Sequence, residues 1–151
     1  AQRTASEVRF LLQHDDANTW RIGPYTVSVI VTKEGREYPS NELAFLLAPR
    51  VTGIDPAGTI SGGAGTTITF TLESVPQVLA TQSASLLLGD REIAVEDTTD
   101  EDVLSFEVSD APVLTDAVIR LRVDGVDSIP YRRLDEPPYL EFAEDQKVTI
   151  T

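Results

Sequence analysis

The feature that most constrains the fold of this chain is a two-residue hydrophobic alternation that recurs along most of its 151 residues. In the segment 25–31, tyrosine and valine at every second position fall on one side of an extended strand. The alternation returns at intervals of about 8–12 residues, with turn residues between the segments and without a helical 3.6-residue period. It is found in five later segments: 43–47, 67–72, 86–95, 104–108 and 119–123. The pattern predicts an all-β fold of the sandwich class.

Glycine-containing turns are the second signal. Gly89-Asp90 separates two apolar runs, which is typical of a β-hairpin because glycine accepts the positive φ that such turns require. Asp124-Gly125 ends another alternating run in the same way. We expect turns, or the junction between modules, at six positions: Pro49, Gly53, Gly89, Asp90, Asp124 and Gly125.

The segment 41–56 divides the chain into two parts. It is interpreted as a closing strand, a stiff hinge at Pro49, and an opening strand that stops at Asp55-Pro56. Only three strands are predicted before Pro49, whereas a sandwich needs about seven. We therefore predict that residues 1–49 are the C-terminal half of a first module, completed by upstream strands or by a neighbour. Residues 50–151 would be a second module with an extended, proline-rich C-terminal tail.

The charge balance excludes some partners. The chain has 25 acidic and 12 basic residues and a formal net charge of −13. Such a surface repels phosphate backbones and anionic lipids, so we expect no nucleic-acid partner, and the sequence does not indicate membrane contact. The chain has no cysteine, which excludes disulfides and cysteine-based zinc sites. No apolar run approaches the roughly 20 residues of a membrane-spanning helix.

No residue cluster carries a catalytic signature. The sole histidine lies in His14-Asp15-Asp16, which is typical of a solvated turn, and no Gly-x-Ser-x-Gly elbow provides a nucleophile. The acidic run 96–102 lacks the alternating order of a calcium loop, so a solvated loop is favoured and calcium binding is the alternative. The run 62–65 is glycine-rich but is interpreted as a loop, because no Lys-Ser or Lys-Thr follows it. We expect no catalytic residue, no metal and no cofactor.

The aromatic residues are candidates for contact with a partner. Tyr25 lies on an alternating face and is expected in a core, while Trp20 is expected to cap one end of a sandwich. Exposed aromatic stripes mark protein interfaces more often than sugar-binding platforms. We therefore predict partner contacts at Trp20, Tyr131 and Tyr139, with a carbohydrate platform as the alternative.

Ordered sequence blocks resemble known families at two levels. Leu86 to Val95, Leu104 to Val108 and Val118 to Gly125 resemble the immunoglobulin-like IPT/TIG module. A longer series resembles the C-terminal part of the large cap or tail-terminator proteins of phage-tail-like contractile injection systems. The blocks of that series are 25–29, 40–45, 47–54, 86–92, 120–128, 137–138 and 146–150. The resemblance implies tandem immunoglobulin-like β-sandwich modules, the first incomplete at its N-terminal side.

The second resemblance also implies a function. It implies a non-enzymatic structural component that is pendant at the cap end of a particle and contacts other subunits (cap, sheath or tube end) in symmetric multiple copies. Such a particle assembles in the cytoplasm and can be released from the cell. The terminator domain of that family has no counterpart in this sequence, so the terminator role is not assigned to any residue here. Two alternatives stay open: a carbohydrate- or receptor-binding immunoglobulin-like module of a surface or secreted protein, and an accessory sandwich of an enzyme.

Overall fold

The computed structural model describes residues 20–96 and 103–151, together with the backbone of two short strands, Gln2–Arg3 and Val8–Arg9. The described residues form strands, turns and one 3-10 helix, so the predicted all-β class is confirmed. No helix in this part of the chain is long and apolar enough to cross a membrane. The strands form several sheets, which is consistent with the β-sandwich class.

The strands are labelled in chain order. The N-terminal strands are β1 (Gln2–Arg3), β2 (Val8–Arg9), β3 (Gly23–Val27), β4 (Ile30–Lys33), β5 (Arg36–Pro39) and β6 (Leu43–Leu47). The central strands are β7 (Arg50–Asp55), β8 (Gly58–Ile60), β9 (Ile68–Val75), β10 (Ala84–Leu88), β11 (Arg91–Ala94) and β12 (Leu104–Val108). The C-terminal elements are β13 (Leu114–Val118), β14 (Arg120–Val123), β15 (Val126–Asp127), β16 (Tyr131–Arg133), β17 (Leu140–Phe142), the 3-10 helix η1 (Glu144–Gln146) and β18 (Lys147–Ile150).

Three sheets contribute to the core. Their strand orders are β12-β9-β7, β11-β10-β14-β15 and β13-β18-β8. Neighbouring strands in these sheets are antiparallel except β18 and β8, which are parallel. Four separate two-stranded pairs accompany them: β1–β2, β3–β6, β4–β5 and β16–β17.

The predicted alternation determines which residues of β9 and β12 enter the core. Ile68, Phe70 and Leu72 on β9 are buried, while the threonines between them are more exposed. Phe106 on β12 lies directly opposite Phe70 and is also fully buried. Burying a side chain of this size stabilises the fold by roughly 1.5–3 kcal/mol relative to leaving it in water. These two strands are therefore the centre of the first sheet.

The second sheet faces the same core through β10 and β14. Leu86 on β10 lies opposite Leu121 on β14, and both side chains are fully buried. They belong to one hydrophobic cluster with Phe70 and Phe106 of the first sheet. Among the described residues, every buried hydrophobic residue lies between Val51 and Ile150 except Ile22. The division of the chain at residue 49 into two modules stays a prediction.

The third sheet brings distant parts of the chain together. Residues 58–60 pair in parallel with residues 148–150, and β13 pairs with the other side of β18. The alternation at 119–123 does not predict β13, which covers residues 114–118. Ile119, between β13 and β14, is fully buried, and its N–H donates to the Gln146 carbonyl at 2.8 Å. The predicted strand at 119–123 therefore continues a longer, interrupted one.

The N-terminal strands differ from the prediction. The expected single strand 25–31 is interrupted at residues 28–29, and it pairs in two pieces, β3 with β6 and β4 with β5. We call the segment 23–47 the ribbon. Tyr25, predicted to be a core residue, is only half-buried, and Val29 and Val31 are exposed rather than on a buried face. The physical reason is that neither piece of the ribbon pairs with a third described strand. The predicted strand 7–13 lies outside the described residues apart from Val8–Arg9.

The predicted extended tail is also wrong. Strands β16 and β17 form an antiparallel hairpin, and Pro137 and Pro138 lie in the turn that joins them. The Leu134 N–H donates to the Tyr139 carbonyl at 2.9 Å across this turn. The prolines therefore reverse the chain direction rather than stiffen an extended segment. We call the segment 129–142 the C-terminal hairpin.

Candidate functional site

The base of the ribbon is joined to the sandwich by a buried anchor. Ile22 has 1% of its surface exposed and belongs to the hydrophobic core cluster. The buried Gln82 donates from Nε2 to the Ile22 carbonyl at 2.9 Å. The ribbon therefore starts from a fixed point on the sandwich.

Asp124 is the polar centre of this anchor. Its carboxylate accepts a hydrogen bond from Gln82 Nε2 at 2.9 Å and one from the Ser83 N–H at 3.0 Å. Arg21 forms an ion pair with the same carboxylate, with 2.9 Å between Nη2 and Oδ2. Hydrogen bonding to Gln82, then to Ser83 and Arg21, holds the pKa of Asp124 well below its ordinary value of 3.8. The carboxylate therefore links the ribbon base to the turn after β14.

A cavity of about 490 Å³ lies beside the anchor. Its lining comprises Arg21, Ile22, Gly23, Pro24, Tyr25 and Asp124. The two charged groups in this lining are already paired with each other, and the Tyr25 hydroxyl donates to the Arg21 carbonyl at 2.6 Å. Among the described lining residues, no nucleophile lies beside a base. Its polar groups are used to hold the chain in place.

One face of the β4–β5 pair combines apolar and basic side chains. Val31 lies opposite Tyr38, and one step along the same face Lys33 lies opposite Arg36. All four residues are exposed. Like charges directly opposite each other on a sheet destabilise it, so this arrangement favours an external anionic group. The outer part of the ribbon thus has the composition of a contact surface.

The C-terminal hairpin presents a second apolar surface. Tyr131 lies opposite Phe142, with 4.5 Å between their ring centroids, and both are exposed. Leu140 lies on the same face, because side chains two residues apart on a strand share a side. On the other face, Arg132 and Glu141 form an ion pair. An exposed aromatic pair of this kind is a candidate for burial against a partner.

A second charged network joins β11, β14 and β15 and is structural. Arg122 donates from Nε to Asp127 Oδ1 at 2.6 Å and from Nη1 to Glu92 Oε2 at 2.8 Å. The hydrogen bond from Arg122 lowers the pKa of Asp127, and the same bond raises the pKa of Arg122. These side chains pair with one another across the strands of one sheet, Arg122 with Asp127 on the neighbouring β15 and with Glu92 on β11 beyond β10, so they do not point to a binding site.

The structure places the predicted turn residues in four different parts of the chain. Pro49 is buried between β6 and β7, and Gly53 lies at a register shift in β7. Gly89 and Asp90 form the two-residue turn between β10 and β11, with φ of +60° at Gly89. Asp124 and Gly125 form the turn between β14 and β15, and both have positive φ. Asp124 alone of these six belongs to the anchor.

The predicted contact residues do not lie together in one patch. Trp20 is half-buried and packs edge-on against Tyr25, with 5.5 Å between ring centroids, at the start of the ribbon. Tyr131 and Tyr139 both lie on the C-terminal hairpin and are exposed. The candidate surfaces are therefore the ribbon and this hairpin.

Two candidate metal sites fall partly or wholly outside the described residues. These are His14-Asp15-Asp16 and, apart from Glu96, the acidic run 96–102. Within residues 20–96 and 103–151, no group of three or more histidine, aspartate or glutamate residues is arranged to hold a metal ion.

Sequence reasoning missed two buried glutamines that hold the module together. Gln82 anchors Ile22, and Gln146 donates from Nε2 to the Val51 carbonyl at 3.2 Å, beside the edge strand β7. Both have at most 5% of their surface exposed. A single polar residue between strands carries no local pattern that indicates burial, so no sequence signal identified them.

The comparisons with known proteins give one family. Residues 47–149, about two thirds of the chain, match the family described as Domain of unknown function (DUF8756). A search of curated proteins finds no match. The matched range contains the C-terminal hairpin and, apart from the last residue of β18, all the strands of the three core sheets. On the strength of this match, the chain belongs to the DUF8756 family.

Proposed function

We propose that this chain is a non-enzymatic structural component of a contractile injection system or related phage-tail-like particle, in which it contributes immunoglobulin-like modules at the cap end. The observation that carries the proposal is the location of the exposed apolar side chains. Of thirteen exposed large hydrophobic residues in the described ranges, eleven lie on the ribbon or on the C-terminal hairpin. Apolar residues gathered on hairpins suit contact with other subunits.

The order of the strands supports an immunoglobulin-like assignment of the second module. Consecutive strands β9 and β10 lie in different sheets, as do β11 and β12. Such crossings between two antiparallel sheets are typical of Greek-key sandwiches. The sequence blocks that resemble the IPT/TIG module coincide with β10–β11, β12 and the β13–β14 region. Fold alone does not determine function, so the particle assignment depends on the ordered blocks and the exposed surfaces.

The ribbon supports the prediction of an incomplete first module. The rings of Tyr25 and Phe45 stack with 5.6 Å between centroids on one face of the β3–β6 pair. Leu43, on the same face, has 65% of its surface exposed. A two-stranded pair is marginally stable by itself, so an apolar face of this kind favours a covering sheet. In a particle, a neighbouring subunit would provide it.

Imaging of particles tests this proposal. The coding segment for residues 1–151 would be removed from the producing organism, and purified particles would be compared by cryo-electron microscopy with those of the parent. We expect loss of density at the cap end with the tube and sheath intact. Particles with the same cap-end density as the parent would contradict the proposal. Restoration of the density by the reintroduced segment is the control.

The exposed Tyr131–Phe142 pair favours one second candidate, a carbohydrate- or receptor-binding module. Aromatic rings on a surface can stack against sugar rings as well as against protein. A glycan array probed with the wild-type chain and with Tyr131→Ala tests it. Binding that is lost in Tyr131→Ala and kept in Val113→Ala would support the carbohydrate function, since Val113 is exposed outside both hairpins. No glycan binding by the wild-type chain would rule out the carbohydrate function.

A further inference from the structure

We propose that the polar cluster of Gln82, Ser83 and Asp124 is a peptide-acceptor site. Its ligand is an Arg-Ile-Gly segment, which residues 21–23 supply in this chain. We call the cluster the acceptor site and the segment its ligand segment. The site holds the ligand segment through its own contacts and does not require the covalent connection through the ribbon. This inference goes beyond the proposed function and does not depend on it.

The acceptor site is organised by contacts that do not involve the ligand segment. The Ser83 N–H and hydroxyl donate to Asp124 Oδ1 at 3.0 and 3.1 Å, and the Asp124 N–H donates to the Ser83 carbonyl at 3.0 Å. Gln82 Nε2 donates to Asp124 Oδ2 at 2.9 Å. One carboxylate oxygen is therefore fixed by Ser83. The other oxygen and the second amide hydrogen of Gln82 are left to bind the ligand segment.

Each residue of the ligand segment meets a different requirement. Arg21 Nη2 lies 2.9 Å from Asp124 Oδ2. The Ile22 side chain belongs to the hydrophobic core cluster, and its carbonyl accepts from Gln82 Nε2 at 2.9 Å. Gly23 is buried and has a φ of +147°, which residues with a side chain rarely adopt. These contacts select a cation, an aliphatic side chain and a glycine, in that order.

The three requirements contribute unequally to binding. The Arg21 side chain has 57% of its surface exposed, and exposed ion pairs contribute little to binding or stability. Ile22 has only 1% of its surface exposed, and complete burial of an aliphatic side chain contributes considerably more. We therefore expect Ile22 to supply most of the affinity, while Arg21 fixes the position of the segment along the site.

Contacts within the N-terminal segment prepare it for binding. The Tyr25 hydroxyl donates to the Arg21 carbonyl at 2.6 Å, which bridges the ligand segment. Trp20 packs edge-on against Tyr25, with 5.5 Å between ring centroids. A segment that is already shaped by its own contacts loses less conformational entropy when it binds.

The acceptor site and the ligand segment lie on opposite sides of the family boundary. Gln82, Ser83 and Asp124 fall within the matched range 47–149, whereas residues 21–23 precede it. Apart from Ile22, the buried hydrophobic residues of the described ranges all lie at 51–150. The family region therefore provides the acceptor site, and a segment from outside that region completes its core.

A chain that is cut at the ribbon tip tests whether the site holds its ligand without a covalent link. A protease recognition sequence would be inserted between Glu34 and Gly35, in the turn between β4 and β5. Cleavage after folding produces fragments 1–34 and 35–151. We expect the two fragments to elute together in gel filtration at concentrations down to about 1 μM. Fragments that separate directly after cleavage would overturn the proposal.

Peptide competition then measures which residues the site recognises. A fluorescent peptide of residues 20–33 should replace fragment 1–34 in the cut complex, and unlabelled variants would compete with it. We expect Ile22→Ala to weaken competition by about thirtyfold or more and Arg21→Ala by about two- to fivefold. Ile30→Ala is the matched control and should compete like the wild-type peptide, because Ile30 has 58% of its surface exposed. The substitutions are made in the peptide, so folding of the sandwich is not affected.

The comparison also separates the acceptor site from the other contact of this segment. Strand β3 pairs with β6 over five residue pairs, and this pairing could hold the peptide by itself. Equal competition by the Ile22→Ala and Ile30→Ala peptides would show that the strand pairing is responsible and would overturn the proposal. A cut complex that does not take up the wild-type peptide would do the same.

Discussion

Gln82 and Asp124 are joined by a hydrogen bond of 2.9 Å from the amide Nε2 to the carboxylate Oδ2, and the same amide nitrogen donates to the Ile22 carbonyl. One buried side chain therefore connects the base of the ribbon to the turn between β14 and β15. Because Asp124 is a carboxylate, the strength of this link between Gln82 and Asp124 depends on pH.

The first prediction concerns Asp124→Asn. Asparagine tolerates the φ of +47° at this position, so the turn is retained and the charge is lost. We expect destabilisation of about 1 kcal/mol at neutral pH, because hydrogen bonds to a charged acceptor are weakened. Since the pKa of Asp124 is lowered in the folded state, its contribution is complete above its ordinary value of 3.8 and is lost as the pH falls below it. Urea unfolding at several pH values measures the difference between the two proteins.

The difference in unfolding free energy between wild type and Asp124→Asn should therefore shrink on acidification. A difference that stays constant down to the lowest pH at which both proteins fold would contradict the role given to the carboxylate. Asp116→Asn is the matched control, since Asp116 also has a positive φ, of 48°.

The second prediction compares two glycines that do not need a positive φ. A Cβ at Gly63 would lie 2.9 Å from Ile60 Cγ2 and 3.0 Å from Ile68 Cδ1, inside the core. We expect Gly63→Ala to destabilise the protein by about 1–3 kcal/mol through overpacking. At Gly53 the nearest atom is Glu73 Oε2, on a flexible side chain, so Gly53→Ala should cost much less. Equal shifts of the thermal midpoint in the two variants would show that the packing around Gly63 can relax.

The third prediction concerns the turn at Gly89. Its φ of +60° is unfavourable for β-branched residues and tolerable for asparagine. We expect Gly89→Val to lose about 1–3 kcal/mol of stability and Gly89→Asn to lose clearly less. Both variants place a Cβ near Leu114, so the difference between them isolates the backbone conformation. Chemical denaturation measures both, and the same loss in each variant would argue against a backbone cause.

The fourth prediction tests whether the ribbon base unfolds with the sandwich. Ile22→Ala removes a fully buried side chain and should cost about 2–5 kcal/mol. Trp20 is the sole tryptophan and lies two residues away, so its fluorescence reports on the ribbon base. We expect fluorescence and far-UV circular dichroism to give the same midpoint, lowered together in Ile22→Ala.

Ile30→Ala is the control for this experiment, because Ile30 has 58% of its surface exposed and the same side chain is removed. It should shift the midpoint little. A fluorescence transition that precedes the loss of β-structure in the wild type would show that the ribbon base is not part of the cooperative unit.

The sequence predicted the parts of the fold that depend on local patterns. The alternation in β9 and β12 and the turn at Gly89 each depend on a few neighbouring residues. They can therefore be recognised in the sequence without knowing the rest of the fold. The parallel pairing of 58–60 with 148–150 was not predicted, because no local signal reports which distant segment will become a neighbour.

The candidate surfaces were predicted only in part. Tyr131 and Tyr139 were identified as contact residues from their chemistry, but Pro137 and Pro138 suggested an extended segment instead of the turn of a hairpin. The exposure of Val31 could not be deduced, since an alternating strand looks the same whether or not a second sheet covers it.

The parallel pairing of 58–60 with 148–150 has a consequence for synthesis. About ninety residues separate the two partners, and β13 gains its only described partner in β18 as well. During translation the third sheet must therefore stay open until Ile150 has left the ribosomal exit tunnel. For most of that interval the nascent module exposes apolar residues, and shielding by a chaperone would matter most just before this last strand arrives.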